Sequence, residues 1–474
     1  MNKTKEIPGN TFGKVPEILL FRIISLLLIA FPVIIGLFNA DSCTDWGDDF
    51  AQYLCQANVI AGNLNQLPVT CINSYSPEVK GILFSFLLTP LMGSASLIMN
   101  CKLITAFFLG MFGFQTFRFL NQITNIFTAW FFSIFLISHI ETVALVNQVL
   151  PDILFAFITL TALVLYSNKH VSNKLSAFFL AGLTTGFKSA GLVLAAVFLL
   201  LTIYAFLNGS MQIKQMLKRI GLLVSGPVLI KIATLIYFNV ESTDLWYIHQ
   251  SVDSFTSYRI TESIGIYYKS FKSLFEFEVP SLANSIIVTG TGILFVIGFV
   301  GSIVREKSVL ELFFTFYLVM LMLYPDYNES FRFLFPLFPL FLWYIVKAVR
   351  IIQETVRLNV AGIVTSGLAT LLVIGNLSTL RVNRPVSASI CDADALELFH
   401  YLRKSVPKGN IVSCDKPWAI AWFGETQTIP LSCSLINADF KLLQNADAFS
   451  KVKTGNEIVF ENNSFTLIRL NHTL

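Results

Sequence analysis

Charge is what this chain has least of. Asp, Glu, Lys and Arg make up 13% of its 474 residues, about half the ~25% of an ordinary soluble chain, so most of its surface cannot face water. Histidine is scarce, at five residues, and no zinc-type CxxC pair occurs, which leaves no obvious histidine or cysteine metal site. No basic tract is present, and with it goes the footprint of a nucleic-acid-binding protein. Internal repeats and low-complexity segments are also missing. Few ionisable groups fall in the middle of the apolar runs, Lys231 being the plainest exception, whereas a channel or pump buries several near the membrane midplane.

What fills the chain instead is apolar: 54% hydrophobic residues, 45 Phe and a mean hydropathy of +0.68. Runs such as Ile18–Phe38, Ile153–Tyr166, Ile220–Phe238 and Ile286–Val304 approach the ~20 residues needed to span a bilayer core of ~30 Å. Inside lipid the backbone must satisfy itself, so these runs are expected to be helices. The first follows the basic head Lys3, Lys5 and Lys14 with no small-residue cleavage site after it, and reads as a retained helix rather than a cleaved signal.

Lys and Arg concentrate in cytoplasmic loops. Placing the basic N-terminus, Arg118, Lys169 with Lys174, Lys214 with Lys218 and Arg219, Arg305 with Lys307, and Lys347 with Arg350 and Arg357 inside gives about eleven crossings and an outside C-terminus. This parity requires one apolar segment not to cross. Gly81–Met99, interrupted by Pro90, Gly93, Ser94 and Ser96, is that segment, an outer or re-entrant element embedded in the membrane. Val240–Asn284 reads as a long outside loop. The expected architecture is an all-α polytopic membrane module over 1–380 and a small extracytoplasmic α+β domain over 381–474. In that domain Ala395–Ser405 has helical spacing, Asn410–Cys414 reads as a strand, and Glu457–Phe460 with Phe465–Leu470 reads as a hairpin. Six of the seven cysteines, all but Cys101, fall outside. Disulfides such as Cys43–Cys71 or Cys414–Cys433 are open possibilities beside free buried thiols, since spacing does not determine pairing.

In so apolar a chain the ionisable residues at outer helix ends are informative. Asp48 and Asp49 open a stretch with Phe50, Tyr53 and Ala57 at helical spacing. Carboxylates suit a helix N-terminus, and one could also act as a general base. Tyr75-Ser76-Pro77-Glu78-Val79-Lys80 sets an acid and a base before an apolar segment, as a head-group clamp or a snorkelling lysine. Asp152 heads a helix, as a cap or a site residue. Lys188 sits in an outer turn. Tyr327 lies in an outer turn with Asp326 and Glu329, just before Arg332 and the Phe-Leu-Phe-Pro-Leu-Phe-Pro run. Lys80, Lys188 and Arg332 near one pocket would suit a phosphate.

The order of these elements resembles the GT-C superfamily of membrane glycosyltransferases, closest to the bacterial relatives of protein O-mannosyltransferases and aminoarabinose transferases. Gly47-Asp48-Asp49-Phe50-Ala51-Gln52-Tyr53 resembles their first-loop acidic element, which makes Asp49 the implied catalytic base and Asp48 its alternate. Tyr75 to Gly81 resembles the second loop element, where Glu78 would meet a divalent metal or lipid phosphate and Lys80 the phosphate. Asp152 resembles the second outer Asp. Gly186 to Gly191 resembles the element that brings Lys188 to phosphate. Phe331-Arg332-Phe333 through Pro336 and Pro339 resembles the helix that brings Arg332 there. Tyr53, Tyr75, Glu78, Asp152 and Tyr327 would line the pocket. The resemblance implies a polyprenyl-phosphate-linked sugar donor and a glycan, lipid or protein acceptor, joined on the extracytoplasmic face of a bacterial inner membrane. A transporter or lipid flippase and a non-catalytic envelope scaffold are the rival classes. Neither accounts for acids and bases recurring at outer helix ends.

Overall fold

A computed structural model describes residues 14–39, 43–44, 47–65, 67–69, 79–167, 170–238, 257–277, 280–306, 308–323, 330–356, 361–382, 390–433, 437–444 and 457–470. The apolar runs fold as helices: α1 (Lys14–Asn39), α2 (Asp48–Ile60), α3 (Ile82–Leu88), α4 (Leu97–Leu120), α5 (Ile126–Ser138), α6 (Ile140–Gln148), α7 (Asp152–Ser167), α8 (Val171–Thr184), α9 (Gly191–Leu207) and α10 (Ile213–Phe238). They continue with α11 (Ser257–Leu274), α12 (Ser281–Arg305), α13 (Val309–Leu323), α14 (Ser330–Leu334), α15 (Phe338–Val356) and α16 (Ala361–Val382).

Among the described residues five helices are long and apolar enough to cross a membrane, or six if α5 and α6, which meet at a 52° bend, form one span. Shorter apolar helices accompany them, including Asp152–Ser167, Gly191–Leu207 and Val309–Leu323. Residues 82–91 form α3 and a 3-10 turn. At 1.5 Å per residue this segment is too short to span ~30 Å.

Lipid is the solvent the outer faces fit. Leu282 and Ile363 are 74% and 76% exposed, and Ile236 is 70% exposed, an arrangement water would penalise at ~25 cal/mol per Å2. α15 is the opposite case, with Phe338, Leu340, Leu342, Tyr344 and Ile345 buried at the bundle centre. With lipid on all sides there is little hydrophobic drive between helices, so close backbone approach supplies the packing. At the α8–α10 crossing a Cβ on Gly182 would lie 2.2 Å from the Leu223 carbonyl oxygen, and Gly226 faces Gly182 in turn.

The C-terminal residues form α17 (Ala393–Ser405), β1 (Ile411–Cys414), α18 (Pro417–Gly424), β2 (Gln427–Pro430), β3 (Phe440–Gln444), β4 (Glu457–Glu461) and β5 (Phe465–Arg469). They build a five-stranded mixed sheet in the order β2-β1-β3-β5-β4, with β1 parallel to β2 and β3 and with β5 antiparallel to β3 and β4. Leu398, Phe399, Leu402, Val412, Phe440 and Leu467 form its core. The helix, the first strand and the final hairpin match the sequence reading. β2 and β3 were not legible, being four and five residues long and lacking a clean alternation. Within Val240–Asn284, read as a long outside loop, Ser257–Leu274 form the amphipathic helix α11.

This sheet unit is fastened to the start of the membrane module. Cys43 is disulfide-bonded to Cys391. Ala51, Cys55 and Val69 pack with Trp418, Ala419 and Ala421 in a small core between α2 and α18. Thr428 N–H donates to the Pro68 carbonyl at 3.1 Å, and Val69 forms a parallel bridge to Thr428. Neither anticipated disulfide forms, because Cys43 takes Cys391 and Cys414 is a free, buried thiol.

Candidate active site

Five ionisable side chains from five separate stretches meet in one chain of ion pairs. Asp49 opens α2 and Asp152 opens α7, so each carboxylate sits where free backbone N–H groups make a helix end partly positive. Arg332, in α14, joins them: its Nη2 donates to Asp49 Oδ2 at 2.9 Å and its Nε donates to Asp152 Oδ2 at 2.7 Å. Lys80 Nζ donates to Asp49 Oδ1, and Lys188 Nζ donates to Asp152 Oδ1. Asp152 is 1% exposed and Arg332 is also buried, whereas the Asp49 side chain keeps 32% exposure. The two carboxylates therefore differ: Asp152 is sealed behind Arg332 and Lys188, and Asp49 faces outward.

Local structure explains the delivery of each cation. Lys80 lies just ahead of Gly81, which adopts φ +57°; there a Cβ would stand 2.7 Å from the Tyr53 ring and 3.0 Å from the Phe187 carbonyl oxygen. Only glycine allows that turn at low cost. In the amide orientation that pairs both its ends, Gln56 donates to the Lys80 carbonyl at 2.9 Å and accepts from the Lys80 N–H at 3.2 Å. Lys188 occupies the turn between α8 and α9, its N–H donating to the Thr184 carbonyl at 3.1 Å and its ammonium 4.3 Å from the Phe333 ring centre. Leu83 N–H donates to the Gly186 carbonyl, tying this turn to α3. Before Asp152 the chain reverses through Val149 at φ +52°, a conformation costly for a β-branched residue. Arg332 is followed by the 3-10 turn Phe335–Leu337, where Pro336 and Pro339 interrupt helix hydrogen bonding and lead into α15.

Burial pushes the Asp49 carboxyl up, but Lys80 and Arg332 beside it outweigh that and hold it well below the usual carboxylate range. Asp48 behaves oppositely. It turns away from the ion network to accept the Ala419 N–H at 3.0 Å at the start of α18, and burial raises its carboxyl to about 7, against the lowering pull of that bond and of Lys80. Structure thus divides the adjacent acids: Asp49 faces the cations, and Asp48 docks the sheet unit.

Of the other residues singled out from the sequence, Tyr53 is buried, with its ring edge-on to Phe84 at 5.2 Å and against Gly81. It supports the Lys80 turn from behind. Tyr75, Glu78 and Tyr327 lie outside the described residues. Gln56 was missed, although it falls at i+7 from Asp49 on the same helical face, a legible signal. His139, not singled out above, is buried, its ring stacks on Phe331 at 5.3 Å, and its Nε2 lies 3.3 Å from the Ser273 carbonyl oxygen. Among the described residues no group of three His, Cys, Asp or Glu could hold a metal ion. The two site carboxylates are already paired with Lys and Arg, so this donor set does not fit a divalent cation.

The fold is similar over most of the chain to those of solved GT-C membrane glycosyltransferases. ArnT from Cupriavidus metallidurans, solved with undecaprenyl phosphate, superposes with a TM-score of 0.54 at 10% identity, covering 96% of this chain and 98% of that one. The oligosaccharyltransferase from Archaeoglobus fulgidus, solved with zinc and sulfate, gives a TM-score of 0.54 at 12% identity over 88% of this chain. The chain spans 62% of that protein's length. The same archaeal enzyme, AglB, solved with an inhibitory peptide and a dolichol-phosphate, matches at a TM-score of 0.54 and 11% identity, over 88% of this chain and 65% of that one. No protein-family model matches the sequence, and no curated protein matches it.

Proposed function

We propose that this protein is a glycosyltransferase that moves a sugar from a polyprenyl phosphate to an extracytoplasmic glycan, lipid or protein. The observation that carries the reading is the ion network itself. Three cations converge on two carboxylates, and one carboxylate, Asp49, faces outward. A phosphate ester placed against Lys80, Lys188 and Arg332 meets charge-assisted donors, Arg332 offering a planar fork. The acceptor hydroxyl or amine attacks the anomeric carbon as Asp49 takes its proton. The bond from that carbon to the phosphate oxygen breaks, and its electron pair leaves with the phosphate, inverting the anomeric centre. Held ionised but weakly basic by its two cations, Asp49 gains basicity as the phosphate draws Lys80 and Arg332 toward itself. Such a donor needs no nucleotide, which suits a site outside the cytoplasm.

Topology supports the same reading. The Cys43–Cys391 bond requires both residues on one side of the membrane, so the number of crossings between them is even. With α1 before Cys43, the eleven or so crossings and the inside N-terminus expected from the charge pattern would put the network, the sheet unit and the disulfide on the oxidising, extracytoplasmic face. Reporter fusions after Lys174 should register inside and after Leu380 outside; the reverse at either point dismantles the topology. The activity is tested by incubating the purified protein with polyprenyl-phosphate sugars and an acceptor extract and measuring release of lipid phosphate. Absence of release across the donors, with the folded protein still binding lipid phosphate, removes the enzyme reading.

A further inference from the structure

α11 has two faces that look into two different cavities. Ile266, Lys269, Ser270 and Ser273, spaced as one helical stripe, line the more polar of the two, a cavity of about 400 Å3. Ile264, Tyr267, Tyr268 and Phe271, the neighbouring stripe, line an apolar cavity of about 360 Å3 closed by Phe295, Leu318 and Phe341. Such volumes lie at the small end of the ~300–1,000 Å3 range of small-molecule sites. The same short stretch of chain borders both: Phe331 and Arg332 on the polar side, Leu334 on the apolar side.

The polar cavity is bounded opposite α11 by Glu141 and Gln148, one at each end of α6. Among the described residues Glu141, Gln148 and Lys269 make no side-chain hydrogen bond or ion pair, so a carboxylate, an amide and an ammonium are available to one ligand. The Phe331 ring lines the same space and is held by His139, which stacks on it at 5.3 Å and reaches the Ser273 carbonyl of α11. His139 Nδ1 accepts the Glu141 N–H at 3.3 Å, so one side chain ties α6, α11 and Phe331 together. An aromatic face with hydroxyl-binding groups around it suits a sugar ring. The lining mixes polar and apolar groups, whereas that of the second cavity is almost wholly apolar and better suits an isoprenoid chain.

Resting on the glycosyltransferase reading, we propose that this cavity is the subsite for the donor's sugar ring, with Glu141, Gln148 and Lys269 as its specificity-determining residues and α11 as the partition between sugar and lipid tail. Arg332 both lines the cavity and belongs to the cation set for the phosphate, and the sugar is joined to that phosphate through a single oxygen. A phosphate at Arg332 therefore puts the ring into this cavity and the isoprenoid against the apolar stripe. Inversion brings the acceptor from the side opposite the phosphate, so the acceptor does not compete for the same space.

The experiment compares bare undecaprenyl phosphate with its mannosyl, glucosyl and aminopentosyl esters, binding each to the full-length protein in lipid nanodiscs. The wild type is expected to bind at least one ester more tightly than the bare lipid. Glu141→Ala and Lys269→Ala, both at exposed positions where folding is not at stake, should weaken that ester at least tenfold and leave the bare lipid within twofold. The subsite is overturned if no ester outbinds the bare lipid, if the variants keep the preference, or if they weaken bare lipid equally. Arg332→Ala is the control on the underlying reading. Unchanged binding of the bare lipid in that variant removes the phosphate site, and the sugar subsite with it.

Discussion

Replacing Asp49 with Asn separates chemistry from binding in a way few other changes in this site do. The amide keeps the shape and one acceptor oxygen but cannot take a proton, so turnover should fall by the ~10²–10⁴ that a positioned general base supplies, about 3–5 kcal/mol of barrier. Binding should move the other way. The carboxylate pairs with Lys80 and lies 2.9 Å from Arg332. Such a pair is worth up to ~4 kcal/mol at an effective dielectric near 20, and less here because the Asp49 side chain keeps 32% exposure to screening. With that attraction removed, Lys80 and Arg332 turn to an incoming phosphate at lower cost, for a gain of about 1–2 kcal/mol, or roughly tenfold in affinity. The assay has two arms on the same nanodisc sample: single-turnover release of lipid phosphate from a working donor, and equilibrium binding of bare undecaprenyl phosphate. Turnover within threefold of wild type would refute Asp49 as the base. Weaker lipid-phosphate binding alongside lost turnover would refute the competition between carboxylate and phosphate, and would point to a collapsed site instead.

Other expectations follow from the same network. Lys80→Met removes one of the two cations that depress the Asp49 carboxyl, so its pKa rises and the acid limb of kcat/KM should move up by a unit or more; an unmoved limb in a pH-rate profile separates Lys80 from Asp49. Asp152→Asn takes away the buried carboxylate shared by Arg332 and Lys188, which should cost about 3–5 kcal/mol of stability, read as a fall in Tm in detergent and partly restored by adding Lys188→Met. Asp48 has its folded pKa raised to about 7, so its contribution to stability is fully present below its unfolded value near 3.9 and is lost as pH rises through 7. Asp48→Asn, which keeps an acceptor for the Ala419 N–H, should therefore leave stability unchanged near pH 4 and raise it at pH 8.5 by about 1–4 kcal/mol, read as a rise in Tm at the higher pH alone; equal shifts at both pH values count against titration of Asp48.

How much of this was readable beforehand depends on what lipid forbids. Asp49, Lys80, Asp152, Lys188 and Arg332 stood out because an ionisable group beside hydrocarbon needs a reason to be there, and all five belong to one network. That Arg332 bridges residues 283 and 180 positions away is a property of helix packing that no local pattern carries. The family resemblance ranked Asp49 ahead of Asp48, but only the approach of α18 assigns Asp48 to docking. Cys391 was invisible as a partner of Cys43 because disulfide pairing is set by the fold across 348 residues. α11 carries polar and apolar stripes at helical spacing, so its helix, like Gln56, was legible.

The Cys43–Cys391 bond also sets a schedule for the protein's own making. Its first cysteine precedes Asp49, and its second follows the last helix of the membrane module, so the bond can close only after nearly every helix has been synthesised and inserted. Asp48 likewise waits for Ala419, made 371 residues later. A chain that stalls, inserts one helix backwards or leaves its C-terminal residues on the wrong side keeps the stretch around Asp49 untethered. Proofreading of membrane insertion is thereby built into the covalent structure, because the early segment that carries Asp49 receives its disulfide last.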